Sequence, residues 1–286
     1  MGDTIDTALA AAAEALESAG VPQPRGEAGL LLMHLLKRDR AFLVAHSNQL
    51  LSSAELEQYR LLVTRRAAGW PFQYITGRQE FYRLDFEVTP DVLIPRPETE
   101  LIVETALPLL ESEPHPVLAD IGTGSGCIAI SLLHELPRAR AVSVDASTAA
   151  LAVAQRNAER HQVSSRLRFV QSDLFAAIDS QARFEVIVSN PPYVPADDLS
   201  SLPREVQREP QTALDGGPDG LAIIRRLVAG AADFLRPCGY LIFEIGFGQA
   251  DAIRNLLNGD VWELIELKND LQGVPRTVVL RKRAIS

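Results

Sequence analysis

The stretch Val117-Leu-Ala-Asp-Ile-Gly-Thr-Gly-Ser-Gly-Cys127 decides the fold that this sequence predicts. It opens with apolar residues that run to an acidic end at Asp120, a pattern typical of a buried strand. Glycines then occupy positions 122, 124 and 126, where they permit a tight turn and a close approach of the backbone to a ligand. Helical character extends from Cys127 to Leu136. The stretch therefore predicts a strand, a glycine-rich turn and a helix in succession.

Strand-like and helix-like segments alternate along the rest of the chain after Pro97. The further strands are predicted at Ala141–Asp145, Leu167–Val170, Phe184–Ser189 and Tyr240–Glu244, and the further helices at Thr148–His161 and Ala222–Leu235. This alternation predicts an open, mostly parallel sheet with helices on both faces. Ligands of such sheets bind at the carboxyl ends of the strands.

Two aspartates follow the next two predicted strands and indicate what the glycine-rich turn binds. Asp145 lies about 20 residues after the turn, where a carboxylate can hold ribose hydroxyls. Asp173 could accept a hydrogen bond from an adenine amine, beside the apolar Leu174 and Phe175. Cys127 stands where a dinucleotide fingerprint would have its third glycine. The alternative is a turn that only packs a helix on a strand, but the aspartates favour an adenine nucleoside without a pyrophosphate. S-adenosylmethionine fits this description.

The sequence Asn190-Pro-Pro-Tyr193 ends the apolar segment Phe184–Ser189. Asn-Pro is a common turn signal, but each residue here also suits the binding of a planar NH₂ group. Asn190 offers a side-chain carbonyl, and Pro191 removes an N–H donor and keeps Asn190 extended. Tyr193 offers an aromatic face on which a flat amide or base can stack. Asn190, Pro191 and Tyr193 are therefore the predicted catalytic residues, which position a nitrogen for methyl transfer from a sulfonium.

The chain divides by sequence character into three parts. Residues 1–71 carry apolar residues at helical spacing and predict a small helical domain. Residues 72–95 contain Gly77, Pro90 and Pro95 among apolar residues and predict an extended or hairpin linker. Residues 96–286 form the predicted α/β domain. Because every motif lies after residue 90, we expect the helical domain to dock the substrate.

Composition argues against several classes of partner. The net charge is −9, and no cluster of Lys and Arg marks a phosphate-binding surface, so we expect no direct nucleic-acid binding. Cys127 and Cys238 lack metal-ligand or disulfide spacing, so we expect both to be buried and no metal to bind. No apolar run is long enough for a membrane span, and the first residues lack the basic region of a signal peptide. We expect a cytoplasmic protein.

Asn190–Tyr193 together with Asp120–Gly126 resembles the amino-group methyltransferases, including those that act on adenine, cytosine and protein glutamine. Three further stretches resemble the release factor glutamine methyltransferases (the PrmC/HemK family): Ile94-Pro-Arg-Pro-Glu-Thr-Glu100, Arg208-Glu-Pro-Gln-Thr-Ala-Leu-Asp-Gly-Gly-Pro-Asp-Gly-Leu221 and Gly273-Val-Pro-Arg276. The resemblance covers nearly the whole chain. It implies a class I S-adenosylmethionine-dependent methyltransferase, Rossmann-like, with a small N-terminal helical domain. It also implies methylation, in translation termination, of the side-chain amide of the Gln in the Gly-Gly-Gln motif of peptide chain release factors.

The resemblance also assigns roles to individual residues. The implied cofactor-binding residues are Asp120, Gly122, Thr123, Gly124, Ser125, Gly126, Asp145, Asp173, Leu174 and Asn190. The implied substrate-binding residues are Asn190, Pro191, Pro192, Tyr193, Arg96 and Glu98. Leu174 is a departure, because some relatives carry an aromatic residue there against the adenine. Phe175 is the alternative candidate for that stacking contact.

Three other functions compete with this interpretation. A methyltransferase that acts on a nucleic-acid base would recognise the NH₂ group of that base with the same Asn-Pro-Pro-Tyr motif. It would also need a basic groove to bind the nucleic-acid strand. A related methyltransferase acts on a glutamine of a ribosomal protein, and the stretch Arg96–Glu100 favours the release-factor enzyme over it. A nucleoside-binding scaffold without catalytic activity would not need Asn190 at this position.

Overall fold

The computed structural model describes residues 2–111 and 113–284 of the chain. These residues form two compact units. The helical unit consists of residues 1–77 and 203–208, and the sheet unit consists of residues 78–202 and 209–286. The helical unit thus includes a short segment that the sequence analysis assigned to the α/β domain.

Within the described residues, the helical unit contains the helices α1 (Ile5–Ser18), α2 (Pro24–Leu36), α3 (Arg40–Ala45), α4 (Ser53–Ala67) and α5 (Phe72–Thr76). Short polar residues begin three of them. Thr4 and Ser52 form capping boxes at α1 and α4, and the Asp39 side chain accepts from the first turn of α3. The helices bury one apolar core around Leu16 and Tyr59. The Tyr59 hydroxyl donates to the Ala28 carbonyl at 2.9 Å, so its polar atom is satisfied inside that core.

The segment Pro203–Arg208, here called the strap, is held in the helical unit by charged side chains. Arg66 is 5% exposed and donates to Glu27 at 3.0 Å and to Glu205 of the strap at 2.9 Å. The strap residue Arg204 donates to the Ala67 carbonyl near the end of α4. Helix ends leave carbonyls without helical partners, and arginines are suitable donors to them. The strap therefore completes the helical unit across a long gap in the sequence.

The predicted linker 72–95 is only partly extended. The hairpin predicted within it is formed by β1 (Arg78–Phe81) and β2 (Leu84–Glu87). Phe72–Thr76, however, forms the helix α5 and buries Ile75, whereas the sequence analysis placed these residues in the linker. Gly77 ends that helix with φ +74°, a conformation that glycine adopts without strain. Ile75 packs in the apolar core of the helical unit, and this burial stabilises the helix.

The main sheet has seven strands: β3 (Val117–Ile121), β4 (Arg140–Asp145), β5 (Leu167–Gln171), β6 (Phe184–Ser189), β7 (Leu235–Glu244), β8 (Trp262–Asn269) and β9 (Pro275–Lys282). Their order is β5-β4-β3-β6-β7-β9-β8. The strands from β3 to β7 are parallel, and β9 runs antiparallel to both of its neighbours. The predicted mostly parallel sheet is confirmed.

Helices cover both faces of this sheet: α6 (Glu100–Glu111), α7 (Cys127–Glu135), α8 (Thr148–Arg160), α9 (Ala222–Phe234) and α10 (Ala250–Leu256). One core packs α6 and α7 against the sheet, and a second core packs α9 and α10. Strand β6 lies between them and is buried along its whole length. This double burial explains why β6 reads as a continuous apolar run.

The order of the strands reverses between β3 and β6. Their carboxyl ends lie side by side, since the Ser189 hydroxyl donates to the Ile121 carbonyl at 2.6 Å. A ligand crevice opens at such a reversal. The fold therefore brings the glycine-rich turn after β3 and the Asn-Pro-Pro-Tyr segment after β6 to one place. Across residues 2–111 and 113–284, no helix combines the length and apolarity that a membrane span requires.

Candidate active site

The glycine-rich turn joins β3 to α7 and serves two geometrical needs. Gly122, Gly124 and Gly126 have φ values of +75°, +55° and +83°. A Cβ atom at Gly126 would lie 2.8 Å from Ile130 and 3.2 Å from Ala154, so only glycine lets α7 and α8 pack here. A Cβ at Gly124 would meet no atom within 4 Å, so its backbone faces open space. Gly122 and Gly124 keep the turn accessible to a ligand, and Gly126 allows α7 and α8 to pack beneath it.

Asp120 holds the turn from inside the protein. Its carboxylate is fully buried and accepts hydrogen bonds from the Thr123 hydroxyl at 2.7 Å and the Ala129 amide at 3.3 Å, both through Oδ2. Its Oδ1 has no hydrogen-bond partner within the described part of the chain. Burial raises the pKa of Asp120 to about 7, against the lowering effect of those two donors. The structure thus places this predicted cofactor residue behind the turn, with one oxygen unsatisfied.

This raised pKa predicts how stability changes with pH. Because the folded protein binds the Asp120 proton more tightly than the unfolded chain, the stabilisation is complete below pH 3.8 and is lost as the pH rises towards 7. We therefore compare the free energy of unfolding of the wild type with that of Asp120→Asn. Between about pH 5 and about pH 8, the wild-type value should fall by roughly 3 kcal/mol relative to the variant. Urea unfolding of both cofactor-free proteins at the two pH values measures this. A difference that stays constant with pH would show that the buried carboxylate ionises without penalty.

Asp145 ends β4 next to the glycine-rich turn. Its two carboxylate oxygens accept from the Gly124 amide and the Ser147 amide, each at 2.9 Å. Burial raises the pKa of Asp145, while these amide donors oppose the shift. The structure therefore places Asp145 beside the accessible part of the turn, as its predicted contact with ribose hydroxyls requires.

The residues after β5 occupy different environments. Asp173 is exposed and forms an ion pair with Arg226 at 2.7 Å. Leu174 has φ +49° and lies partly buried against the second core. Phe175 is 9% exposed and stacks on Phe234 with 5.0 Å between the ring centroids. Phe175 therefore packs in the core beneath α9, and this position does not support the predicted stacking of its ring on an adenine.

The Asn-Pro-Pro-Tyr segment meets two residues from distant parts of the chain. Asn190 donates through Nδ2 to the Thr99 hydroxyl at 3.0 Å. Thr99 donates to Glu244 Oε2 at 2.6 Å, and the Tyr193 hydroxyl donates to Glu244 Oε1 at 3.0 Å. A Cβ at Gly122 would lie 4.0 Å from the Asn190 backbone carbonyl. The predicted acceptor residues and the glycine-rich turn therefore face the same crevice.

Glu244 is the main residue that the sequence analysis missed. It ends β7 and is 1% exposed, and burial raises the pKa of its carboxyl against the hydrogen bonds from Thr99 and Tyr193. A sequence signal for Glu244 exists, because it is an acidic residue at the end of an apolar strand, as Asp120 and Asp145 are. Thr99 was within a stretch that carried the family resemblance, but its hydroxyl was given no role.

Arg96 and Glu98, the other predicted substrate residues, lie on the segment before α6. The Arg96 guanidinium pairs with Glu209, whose side chain is 1% exposed. The second oxygen of Glu209 accepts from the Ile94 amide at 2.9 Å. This pair joins two of the stretches that carried the family resemblance. Glu98 is half-buried, and its charge is one of the influences that raise the pKa of Glu244.

Gln249 ties the backbone of Tyr193 to two loops. Its Nε2 donates to the Tyr193 carbonyl at 3.0 Å and to the Gly220 carbonyl at 3.2 Å, while its Oε1 accepts from the Gly246 amide at 2.8 Å. A Cβ at Gly220 would lie only 2.4 Å from the Tyr193 carbonyl oxygen. Gly220 is therefore needed for the close packing of its loop on the Asn-Pro-Pro-Tyr segment. Pro192, which precedes Tyr193, is half-buried in the same segment.

The two cysteines differ in environment. Cys127 is buried in the first turn of α7, and burial raises the pKa of its thiol to about 12, so it remains a protonated apolar side chain. Cys238 is exposed, contrary to the expectation that both are buried. Its φ of +62° lies in the left-handed region, within the irregular beginning of β7. Among the described residues, no group of three or more His, Cys, Asp and Glu is arranged to hold a metal ion.

Comparison with known proteins agrees with this geometry. Residues 7–77 match the family model "PrmC N-terminal domain", and residues 99–215 match "Methyltransferase small domain". The release factor glutamine methyltransferase of Koribacter versatilis is 43% identical over 98% of this chain and 99% of its own length. That of Moorella thermoacetica is 46% identical over 88% of this chain and 89% of its own.

Solved structures share the fold at low identity. A methyltransferase from Pyrococcus furiosus aligns with a TM-score of 0.54 at 18% identity, over 80% of this chain and 98% of that one. The hMettl16 catalytic domain, in complex with the MAT2A 3′UTR hairpin 6, aligns with a TM-score of 0.57 at 15% identity, over 82% and 83% of the two chains. These likenesses establish the methyltransferase fold and nothing finer.

Proposed function

Because this chain belongs to the family of release factor glutamine methyltransferases, we propose that it methylates peptide chain release factors. The methyl donor is S-adenosylmethionine, and the acceptor is the side-chain amide nitrogen of the Gln in a Gly-Gly-Gln motif. Release factors act at the ribosome, so the proposed site of action is the cytoplasm.

The choice of an amide as the methyl acceptor rests on one observation, the orientation of the Asn190 side chain. Asn190 uses its Nδ2 group to donate to Thr99, and nothing in the described residues donates to its Oδ1. A carbonyl oxygen without a donor, next to backbone carbonyls, suits an NH₂ group, which has two hydrogens to donate. The Asn190 backbone carbonyl lies 4.0 Å from the position of a Cβ at Gly122, which supports the proposal that these acceptors border the glycine-rich turn.

The acidic residues of the crevice fit the proposed cofactor. S-adenosylmethionine carries a positive sulfonium and, when bound, supplies a methyl group that a nucleophile can displace. Asp145 would hold the ribose hydroxyls, and Gly122 and Gly124 would let the ligand approach the backbone. The unsatisfied oxygen of Asp120 lies directly behind the turn, where a positive charge in the crevice would favour its ionised form.

The chain's own residues would act mainly by orientation. Asn190 Oδ1 and the Pro191 carbonyl would accept the two hydrogens of the substrate amide and turn its nitrogen towards the sulfonium. The ring of Tyr193, fixed by the bond from its hydroxyl to Glu244, would stack on the flat amide. These residues would hold the amide nitrogen where it can take the methyl group that bound S-adenosylmethionine supplies, and the methylated amide would release one proton to solvent. Holding the reactants in line provides most of the rate gain in such a transfer.

Replacing Asp145 tests the cofactor site. We expect Asp145→Ala to weaken binding of S-adenosylmethionine by about 10- to 150-fold, because a hydrogen bond to a charged acceptor contributes roughly 1.5–3 kcal/mol. Titration calorimetry measures the affinity. Asp251→Ala, which removes an exposed carboxylate on α10, is the control and should bind normally. Unchanged affinity in a folded Asp145→Ala protein would remove this residue from the cofactor site.

The choice of substrate has its own test. The purified protein is incubated with methyl-labelled S-adenosylmethionine and, separately, with release factor, with ribosomal protein and with nucleic acid. We expect label only on release factor, and peptide mapping should place it on the glutamine. The net charge of −9 supports the exclusion of nucleic acid. Label on the ribosomal protein or the nucleic acid alone would replace the proposed function by the corresponding alternative.

A further inference from the structure

We propose that Glu244 is a positioning residue that acts through Thr99 to determine which end of the Asn190 amide meets the substrate. This inference rests on the proposed function, because it concerns how that site recognises an NH₂ group. Glu244 is 1% exposed and lies at the end of β7, with Asn190 and Thr99 between its carboxylate and the crevice.

The direction of each hydrogen bond in this chain follows from the chemistry of the buried end. Glu244 accepts a hydroxyl hydrogen at each of its two oxygens, from Thr99 at Oε2 and from Tyr193 at Oε1. The Thr99 hydroxyl, 2.6 Å from Glu244 Oε2, must therefore donate its single hydrogen to the carboxylate. The hydroxyl then has only lone pairs left for Asn190, which must approach with Nδ2, at 3.0 Å. The Asn190 carbonyl oxygen is consequently the end that faces the crevice.

The other oxygen of Glu244 is also engaged. It accepts from the Tyr193 hydroxyl at 3.0 Å, so both oxygens of the carboxylate have a donor. Burial is the largest influence and raises the pKa of Glu244, as does Glu98, whereas the two hydroxyl donors and the charge of Arg276 oppose the shift. One buried acid thus sets both the amide of Asn190 and the ring of Tyr193. The pair of oxygens explains why an acid, and not an amide of the same shape, stands at this position.

An amide at position 244 would remove that directionality. Glutamine has one acceptor end and one donor end in place of two acceptors. If its NH₂ group faced Thr99, the hydroxyl would have to donate towards Asn190 instead. Asn190 would then turn its carbonyl to Thr99 and present its own NH₂ group to the substrate NH₂ group. Two donors would face each other, and the substrate nitrogen would lose its orientation.

The first experiment compares Glu244→Gln with a matched buried glutamate. Glu185 lies at the amino end of β6, away from the crevice, and accepts from the Val117 amide. We expect Glu244→Gln to lower kcat on release factor by about 10- to 100-fold, with KM and cofactor affinity close to wild type. Glu185→Gln should keep kcat. Normal kcat in Glu244→Gln would overturn the inference, as would an equal loss of kcat in Glu185→Gln.

Variants of Thr99 test the pathway and do not depend on the folding of a Glu244 variant. Thr99→Val removes the hydroxyl and should lower kcat by a similar factor, whereas Thr99→Ser restores the hydroxyl and should retain activity. If Glu244 acts through Thr99, adding Glu244→Gln to Thr99→Val should reduce kcat by less than about threefold further. Losses that multiply, or an active Thr99→Val enzyme, would contradict the inference.

The wild-type arm separates this inference from the proposed function. If the wild-type enzyme leaves release factor unlabelled, the proposed function fails. If wild type labels release factor and the Glu244 and Thr99 variants label it equally well, only the positioning role of Glu244 fails.

Discussion

Asn190→Ala is expected to lower kcat on release factor by about 100- to 1,000-fold, the cost typical of losing one positioned polar group at a reacting centre. The side chain offers its Oδ1 to the crevice because Nδ2 is held by Thr99 at 3.0 Å. Alanine removes this acceptor and leaves the Thr99 hydroxyl without its donor. Single-turnover assays with labelled S-adenosylmethionine measure the rate of methyl transfer directly.

Cofactor affinity should change much less in this variant, because Asn190 mainly serves the acceptor amide. Asn190→Asp keeps an acceptor but cannot donate to Thr99, so we expect some activity in Asp where Ala has almost none. Asn255→Ala, which truncates an exposed asparagine on α10, controls for a general effect of the substitution. Near-normal turnover of Asn190→Ala on release factor would show that Asn-Pro-Pro-Tyr is only a turn.

The parts of the fold that could be predicted from sequence are those with strong local signals. Val117–Cys127 contains an apolar run, alternate glycines and a helix start within a few residues, and the structure shows β3, the turn and α7 there. Strand β6 is buried on both faces and therefore appears as an unbroken apolar segment. Because ligands of parallel sheets bind at the carboxyl ends of the strands, Asp145 and Asn190 could be predicted to lie near the turn from sequence alone.

The parts that could not be predicted depend on long-range contacts. Strands β8 and β9 were missed; in β8 the neighbours Ile265 and Glu266 are both exposed, and two register irregularities obscure the alternation. The strap belongs to the helical unit through bonds to partners far along the chain, such as Arg66 to Glu205 and Arg204 to the Ala67 carbonyl. The network of Thr99, Asn190 and Glu244 likewise joins three distant segments. No local pattern specifies which hydroxyl a buried carboxylate will meet.

Removal of the helical unit is expected to abolish recognition of whole release factor while leaving the chemistry intact. We expect kcat/KM on release factor to fall by about 100-fold or more, equivalent to roughly 2.7 kcal/mol of docking energy. The reason is that every predicted cofactor and acceptor residue lies in the sheet unit. The deletion must cover residues 1–77 and also replace the strap by a neutral linker. Otherwise Arg204, Glu205 and Arg208 would lose the partners that hold them in the intact protein.

A short peptide that contains Gly-Gly-Gln separates docking from chemistry in this experiment. It offers the acceptor amide without the remaining surface of the release factor, so the truncated and the intact enzyme should methylate it at similar low rates. Titration calorimetry with S-adenosylmethionine verifies that the truncated protein retains its cofactor site. If that protein binds the cofactor and methylates whole release factor as fast as the intact enzyme, the helical unit does not dock the substrate. If the truncated protein binds the cofactor but does not methylate the peptide, the helical unit contributes to the chemistry and is not limited to docking the substrate.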